Sequence, residues 1–141
     1  VTDDVLNVVA GIIVRQDRFL AARRSASMSE PGFWEFPGGK VEAGETLSAA
    51  LIRELEEELS IAIDAFSLWK VKEKKVKGRA IRLFFHLVTK FSGAPTPREG
   101  QELAWITCDE ARGYAFLPVD EEIVSELASC PRMCAFPFDS R

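Results

Sequence analysis

Between Leu47 and Leu59 the chain reads LSAALIRELEEEL, with leucine at 51, 55 and 59. Leucines four apart fall on one side of a helix, so the run predicts an amphipathic helix with one face committed to a core. Thr46 or Glu45 stands near its start, where a side-chain oxygen can accept a backbone N–H that the helix leaves unpaired. The same run crowds Glu54, Glu56, Glu57 and Glu58 into five residues. With Glu54 at zero on a wheel of about 100° per residue, Glu58 lies at about +40° and Glu57 at about −60°. Leu51, Ile52, Leu55 and Leu59 occupy roughly +60° to +160° on that wheel. Three carboxylates therefore border the buried stripe, while Glu56, at about −160°, faces water. Arg53 flanks the acidic stripe and can bond to its members.

Carboxylates converging beside a core gain protons unless a cation neutralises them. Two readings follow: a solvated acidic face, which many helices carry, or a site for a divalent cation. Oxygen donors without His or Cys favour magnesium or manganese over zinc. The upstream Pro37-Gly38-Gly39 is expected to turn sharply and bring backbone close to a ligand, and Glu45 supplies a fourth acid. A glycine-rich turn, an acidic helix and an arginine together suit metal-bound phosphates.

Composition narrows the class. At 141 residues, 47% hydrophobic and 28% charged, the chain fits one globular domain, 1–141, with a core of its own. A net charge of −4 argues against broad binding of duplex nucleic acid but not against a small phosphorylated ligand. The longest apolar run, VVAGIIV, is too short to span a bilayer, and the opening residues carry no leader pattern. Three cysteines, Cys108, Cys130 and Cys134, without a CxxC pair, suit a reducing compartment. Cys130 and Cys134 lack the further ligands that a zinc site needs, so thiols are the better reading. The expected location is cytoplasmic.

Leu6–Val14 and the segment from Phe19 read as strands joined by a tight turn, and SASMSEPG (Ser25–Gly32) as a loop. FWEF (Phe33–Phe36) is a short strand stopped by the glycines. Ile61–Val76 and Arg79–Thr89 form a hairpin about Lys77-Gly78, SGAPTPREGQ (Ser92–Gln101) is a loop, and Leu103–Ile106 is a strand. Asp109–Arg112 reads as a helical turn and Asp120–Ala128 as a last helix; the tail from Cys130 has little pattern. Strands, long helix, strands and late helix imply an α/β fold, a mixed sheet between helices.

The segment from Gly39 onward resembles the signature of the Nudix hydrolases. That signature runs Gly, five residues, Glu, seven residues, Arg-Glu, aliphatic, any residue, Glu-Glu, any residue, Gly, aliphatic. Gly39, Glu45, Arg53, Glu54, Leu55, Glu57, Glu58 and Ile61 meet it, and Ser60 replaces its late glycine. VVAGIIV, AARR, WEFPGGKVE, GRAIRLFF, REGQELAW and LPVDEEIV extend the resemblance to the MutT-like branch, over about Val8–Leu127. The resemblance implies the Nudix α/β/α sandwich. It implies hydrolysis of a nucleoside triphosphate to monophosphate and pyrophosphate, with magnesium (or manganese) as cofactor. It assigns metal binding to the Gly38 carbonyl, Glu54, Glu57, Glu58 and Glu99. Glu54 becomes the base or water-orienting group, with Arg53 fixing its carboxylate and Gly39 and Glu45 in support. Arg24, Phe36, Arg79 and Asp120 fall at positions that surround the base. Sanitising of the nucleotide pool, a DNA-repair role, follows with 8-oxo-dGTP as leading substrate. Asp120 bears on that choice, because relatives acting on oxidised guanine often have Asn there and those preferring CTP often have Asp. The other readings are a pyrimidine triphosphate pyrophosphohydrolase and a non-catalytic nucleotide sensor. Either a monomer or a homodimer is compatible.

Trp34, Trp69 and Trp105 read as core residues, and His86 as a hydrogen-bonded structural histidine. The run KVKEKKVKGR (Lys70–Arg79) is most simply a solvated hairpin; its functional reading is attraction of a triphosphate or an RNA 5′ end.

Overall fold

The computed structural model describes residues 5–129, so Cys130, Cys134 and the tail lie outside the described residues. Among these residues, strands and two α-helices make an α/β fold with a mixed sheet. Two compact units are present. One comprises the described residues to Ile12 with Pro37–Thr96, the other Ile13–Phe36 with the described residues from Pro97 onward.

The first unit holds most of β1 (Leu6–Arg15), β4 (Gly38–Lys40), α1 (Leu47–Leu59), β5 (Ala62–Val76) and β6 (Arg79–Ser92). Thr46 caps α1, its Oγ1 accepting from the Ala49 N–H at 3.0 Å. Ala50, Leu51, Leu55 and Leu59 are buried, and each such leucine contributes about 2 kcal/mol by leaving water. The helix lies close over β1: a β-carbon at Gly11 would come within 3.0 Å of Leu55 Cδ1. Ile52 departs from expectation. It is 43% exposed, because the buried face of α1 runs from Ala50 to Leu59 on the wheel and Ile52 lies just past its edge.

Gly38 and Gly39 also depart from expectation. They form no sharp turn but a strand, β4, antiparallel to β1 in the register Val9↔Gly39 and Ala10↔Gly38. Neither has a positive φ. Their small size serves close approach instead: a β-carbon at Gly38 would overlap the Val9 carbonyl, and one at Gly39 the carboxyl group of Glu54.

β5 and β6 pair antiparallel from Ala62↔Ser92 to Val76↔Arg79, with register shifts near Ala65 and Leu68. Lys77 (φ 54°) and Gly78 (φ 81°) close the hairpin, both in the left-handed region that a two-residue turn of this hand requires. His86 is buried, its Nδ1 3.1 Å from the Phe84 carbonyl oxygen. It is the hydrogen-bonded structural histidine that the sequence predicts.

Ser60 ends α1 in the left-handed conformation, φ 60° and ψ 37°, its N–H donating to the Glu56 carbonyl at 2.9 Å. A conformation that usually favours glycine at a helix end is thus adopted with a side chain present. Ser60→Gly is expected to raise stability by about 0.5–1 kcal/mol, strain relief outweighing the added freedom of the unfolded chain. Urea unfolding midpoints would show it; a lower midpoint would mean Ser60 carries a compensating contact.

The second unit holds the end of β1, β2 (Arg18–Arg23), β3 (Trp34–Glu35), β7 (Glu102–Ile106), a 3-10 turn (Glu110–Gly113) and α2 (Pro118–Ser129). β2 is its central strand, pairing with β3 at Ala22↔Glu35 and with β7 from Phe19↔Ile106 to Arg23↔Glu102. Phe19, Phe36 and Phe116 form an aromatic cluster with centroids 5.3–6.4 Å apart. Trp34 meets Tyr114 edge-on at 4.9 Å, and Arg15 lies 4.4 Å over the Trp105 ring. α2 starts two residues before expectation, at Pro118, where a residue without an N–H suits the first helical turn.

Candidate active site

Arg53 organises the acids of the first unit. Its Nε donates to Glu45 Oε2 at 2.6 Å, and its Nη2 to Glu45 Oε1 at 2.9 Å and the Lys40 carbonyl at 3.0 Å. Its Nη1 reaches Glu54 Oε2 at 3.0 Å and Glu57 Oε1 at 3.3 Å. One planar guanidinium therefore ties β4, the loop after it and two turns of α1, a fork that lysine's point charge cannot reproduce. Glu45 also accepts from the Glu42 N–H at 2.8 Å.

These bonds move proton equilibria. Hydrogen bonding from Arg53, then from the Glu42 backbone, holds the Glu45 carboxyl down at about 2. The Arg53 guanidinium is raised further above its ordinary range, chiefly by its bonds to Glu45. A depressed carboxylate adds stability that is complete above its unfolded value, near 4.5, and is lost as pH falls through about 2. Urea midpoints should therefore fall between those limits in the parent, and less steeply in Glu45→Gln. Parallel slopes would show that Glu45 is not the titrating group.

Burial follows the helical wheel. Glu54 is largely shielded, its side chain 16% exposed, and Glu58 is half-buried with its Oε1 sealed from solvent. Glu57 is more open, its side chain 59% exposed, and Glu56 faces water. Backbone at Gly39 lies directly against the Glu54 carboxyl. Among the described residues, no three His, Cys, Asp or Glu side chains gather about one point as they stand; Arg53 is the counter-charge that Glu54 and Glu57 share. The donors nonetheless suit a hard divalent cation, all being oxygens with Glu54 seated in a cradle that only glycine leaves open.

The remaining predicted residues are placed as follows. Arg79, exposed, opens β6 opposite Val76. In the second unit Asp120 is buried in the first turn of α2, 7% exposed. Phe36 is buried in the aromatic cluster, its ring serving the core. Glu99 is exposed, its N–H donating to Gln101 Oε1 at 2.8 Å. Arg24 bonds to protein groups: Nε to the Ser29 carbonyl at 2.6 Å, Nη2 to Ser29 Oγ at 3.0 Å and Nη1 to Glu35 Oε1 at 2.8 Å. It pins the Ser25–Gly32 loop beside a cavity of about 440 Å³. Sequence reasoning missed Glu35 and the buried Gln101. Glu35 gave a signal, standing in a short strand between aromatic residues; Gln101 gave none beyond its place at a loop end.

A NUDIX domain model matches residues 5–127. The chain belongs to the Nudix family. This Nudix chain is 40% identical over 116 residues to the CTP pyrophosphohydrolase of Escherichia coli, covering 82% of this chain and 86% of that protein. It is 36% identical over 123 residues to the E. coli 8-oxo-dGTP diphosphatase, covering 86% and 95%. Among solved structures, the solution structure of the E. coli ORF135 protein superposes with a TM-score of 0.81 at 37% identity, covering 96% of each chain. The Nudix fold and the hydrolase family implied by the signature are therefore established. Nudix hydrolases use divalent metal ions, in keeping with the oxygen-only donor set.

Proposed function

We propose that the chain works as one catalytic domain, a magnesium-dependent nucleoside triphosphate pyrophosphohydrolase that releases nucleoside monophosphate and pyrophosphate. The observation that carries this reading is Glu54, wedged between the Gly39 backbone and the Arg53 guanidinium beside further acids. In the reaction, water adds across the α–β anhydride: its oxygen joins one phosphorus, and the bridging oxygen leaves with the other. Glu54 orients that water or takes its proton, and Arg53 keeps the carboxylate aimed. Glu57, Glu58, the Gly38 carbonyl and Glu99 would join Glu54 in holding magnesium or manganese. Bound divalent ions would supply charge neutralisation on the phosphate oxygens. Arg24, Phe36, Arg79 and Asp120 would surround the base, with Arg24 acting through the loop it pins and Phe36 from within the aromatic cluster. The role is sanitising of the cytoplasmic nucleotide pool, with 8-oxo-dGTP the leading substrate.

Direct chromatographic measurement of released nucleoside monophosphate and pyrophosphate, run on a panel of triphosphates, tests this reading. Turnover should vanish on chelation, return with magnesium or manganese, and rise toward alkaline pH. Full activity after exhaustive chelation would remove the metal from the mechanism, and silence on every triphosphate would favour a sensor.

Asp120 supports a second reading, a CTP-type substrate. An ionised aspartate only accepts hydrogen bonds, which suits the amino group of cytosine as well as an N–H edge of guanine, and one relative named above acts on CTP. Asp120→Asn is expected to change the ratio of kcat/KM for 8-oxo-dGTP and CTP by about tenfold or more, one bidentate contact being worth 1–3 kcal/mol. An unchanged ratio would show that Asp120 does not read the base.

A further inference from the structure

The β5–β6 hairpin is the feature that the proposed chemistry leaves unused. Between Lys70 and Arg82 stand seven basic residues and one acidic, a net of +6, in a chain whose formal net is −4; all other residues together carry −10. No residue from Lys70 to Phe84 is buried, so this stretch is an arm in solvent and no part of the core. The register decides what the charges can do. Residues paired across antiparallel strands share a face, and neighbours along a strand alternate. Lys70, Lys72 and Lys74 lie on one face, paired with Phe85, Leu83 and Ile81, while Lys75, paired with Ala80, and Arg82 lie on the other; Lys77 is at the turn. Arg82 is matched by Glu73 at 2.7 Å. Cations spread over both faces and the tip cannot all touch one ligand. What they share is a field.

We propose that the lysines of this arm form an electrostatic collector that speeds arrival of the anionic nucleotide, without touching it in the reactive complex. The proposal rests on the reading that the ligand is a nucleoside triphosphate. A field of this kind raises association rates by about 10–10³-fold and is screened within about 8 Å at physiological salt. It therefore acts on arrival and leaves the chemical step alone. Arg79, within the arm and matched to a base-surrounding position, begins β6 at its tip, so anions drawn by the lysines are delivered near one expected contact. The alternative, docking of single-stranded RNA along the row Lys70, Lys72 and Lys74, needs aromatic rings on which bases can stack; the residues paired with that row are Ile81, Leu83 and the buried Phe85.

The test compares the parent with Lys74→Glu/Lys75→Glu/Lys77→Asn, which lowers the arm from +6 to +1 and leaves Arg79 in place. Asn suits the positive φ at 77. Stopped-flow association of a fluorescent N-methylanthraniloyl nucleoside triphosphate, with magnesium, is read before appreciable turnover. At low salt the variant should associate about tenfold more slowly. The difference should shrink below about twofold near 0.5 M salt, where the screening length is only a few ångströms. Its kcat should be unchanged, and Lys74→Arg/Lys75→Arg should keep the parent rate. Equal rates for parent and charge-reversed protein overturn the collector while hydrolysis by both keeps the enzymatic reading. The expected rate pattern without hydrolysis by either supports the collector and removes the enzyme. No association by the parent overturns both. Capture of an RNA 20-mer with a 5′ hydroxyl by the parent alone, with nucleotide rates equal, overturns the collector in favour of docking.

Discussion

Glu54→Gln is expected to lower kcat by at least about a thousandfold while the protein stays folded. The side chain keeps its size, so the buried neighbours Leu51 and Leu55 are undisturbed. What is lost is the charge that Arg53 Nη1 holds at 3.0 Å, and with it, in one atom exchange, the proton acceptor and metal ligand proposed above. An amide in that place is a poor ligand for a hard cation. Stability should change little, because the lost ion pair is offset by relief of repulsion among the neighbouring acids. Glu56→Gln is the control, two residues along but facing water; its effect should stay within about 0.5 kcal/mol. Steady-state kinetics and thermal melting of both variants decide the matter. Equal losses of rate would mean that the acidic run acts as a diffuse surface charge and that position on the helix does not matter.

The second large effect separates two adjacent glycines. At Gly39 an added methyl would overlap the carboxyl end of Glu54, a flexible side chain that can move aside; at Gly38 it would overlap the Val9 carbonyl, which cannot. Gly39→Ala should therefore fold and lose activity by about a hundredfold, since displacement of a catalytic group by an ångström costs on that order. Gly38→Ala should lose stability, by about 2–4 kcal/mol, as β4 is forced from β1. The pair is read from kcat beside the urea midpoint for each variant. If both fail in the same way, β4 is only a structural strand and Glu54 is not held by it.

The site was more legible in the sequence than the strand that supports it. The helical period placed Glu54 and Glu58 beside buried leucines and Glu56 in water, because side-chain direction in a helix follows from spacing alone. Ile52 shows the limit of that argument: spacing gives an angle, but the width of the contact depends on the partner. β4 was hidden because Gly38 and Gly39 have poor strand propensity, and only pairing with Val9 and Ala10 makes them a strand. Arg24 was legible as a site candidate through family resemblance, yet its bonds to Ser29 and Glu35 depend on a loop conformation that composition does not specify. The left-handed backbone at Ser60 follows from its place just past the end of α1, where helices commonly close in that conformation, and not from serine, which has no preference for it.

The buried imidazole has a consequence for reading pH profiles. His86 is the chain's sole histidine, and burial, the largest influence on it, lowers its proton affinity below the ordinary range. Among side chains of unperturbed pKa, imidazole is the one that changes charge between pH 5 and 8. Here it is sequestered between strands, beside the ring of Phe66. Burial thus moves this imidazole away from neutrality, and an inflection in rate there points first to groups other than His86, among them a carboxylate, water or the nucleotide's own phosphate. The usual habit of assigning such an inflection to histidine meets here an imidazole buried in the sheet.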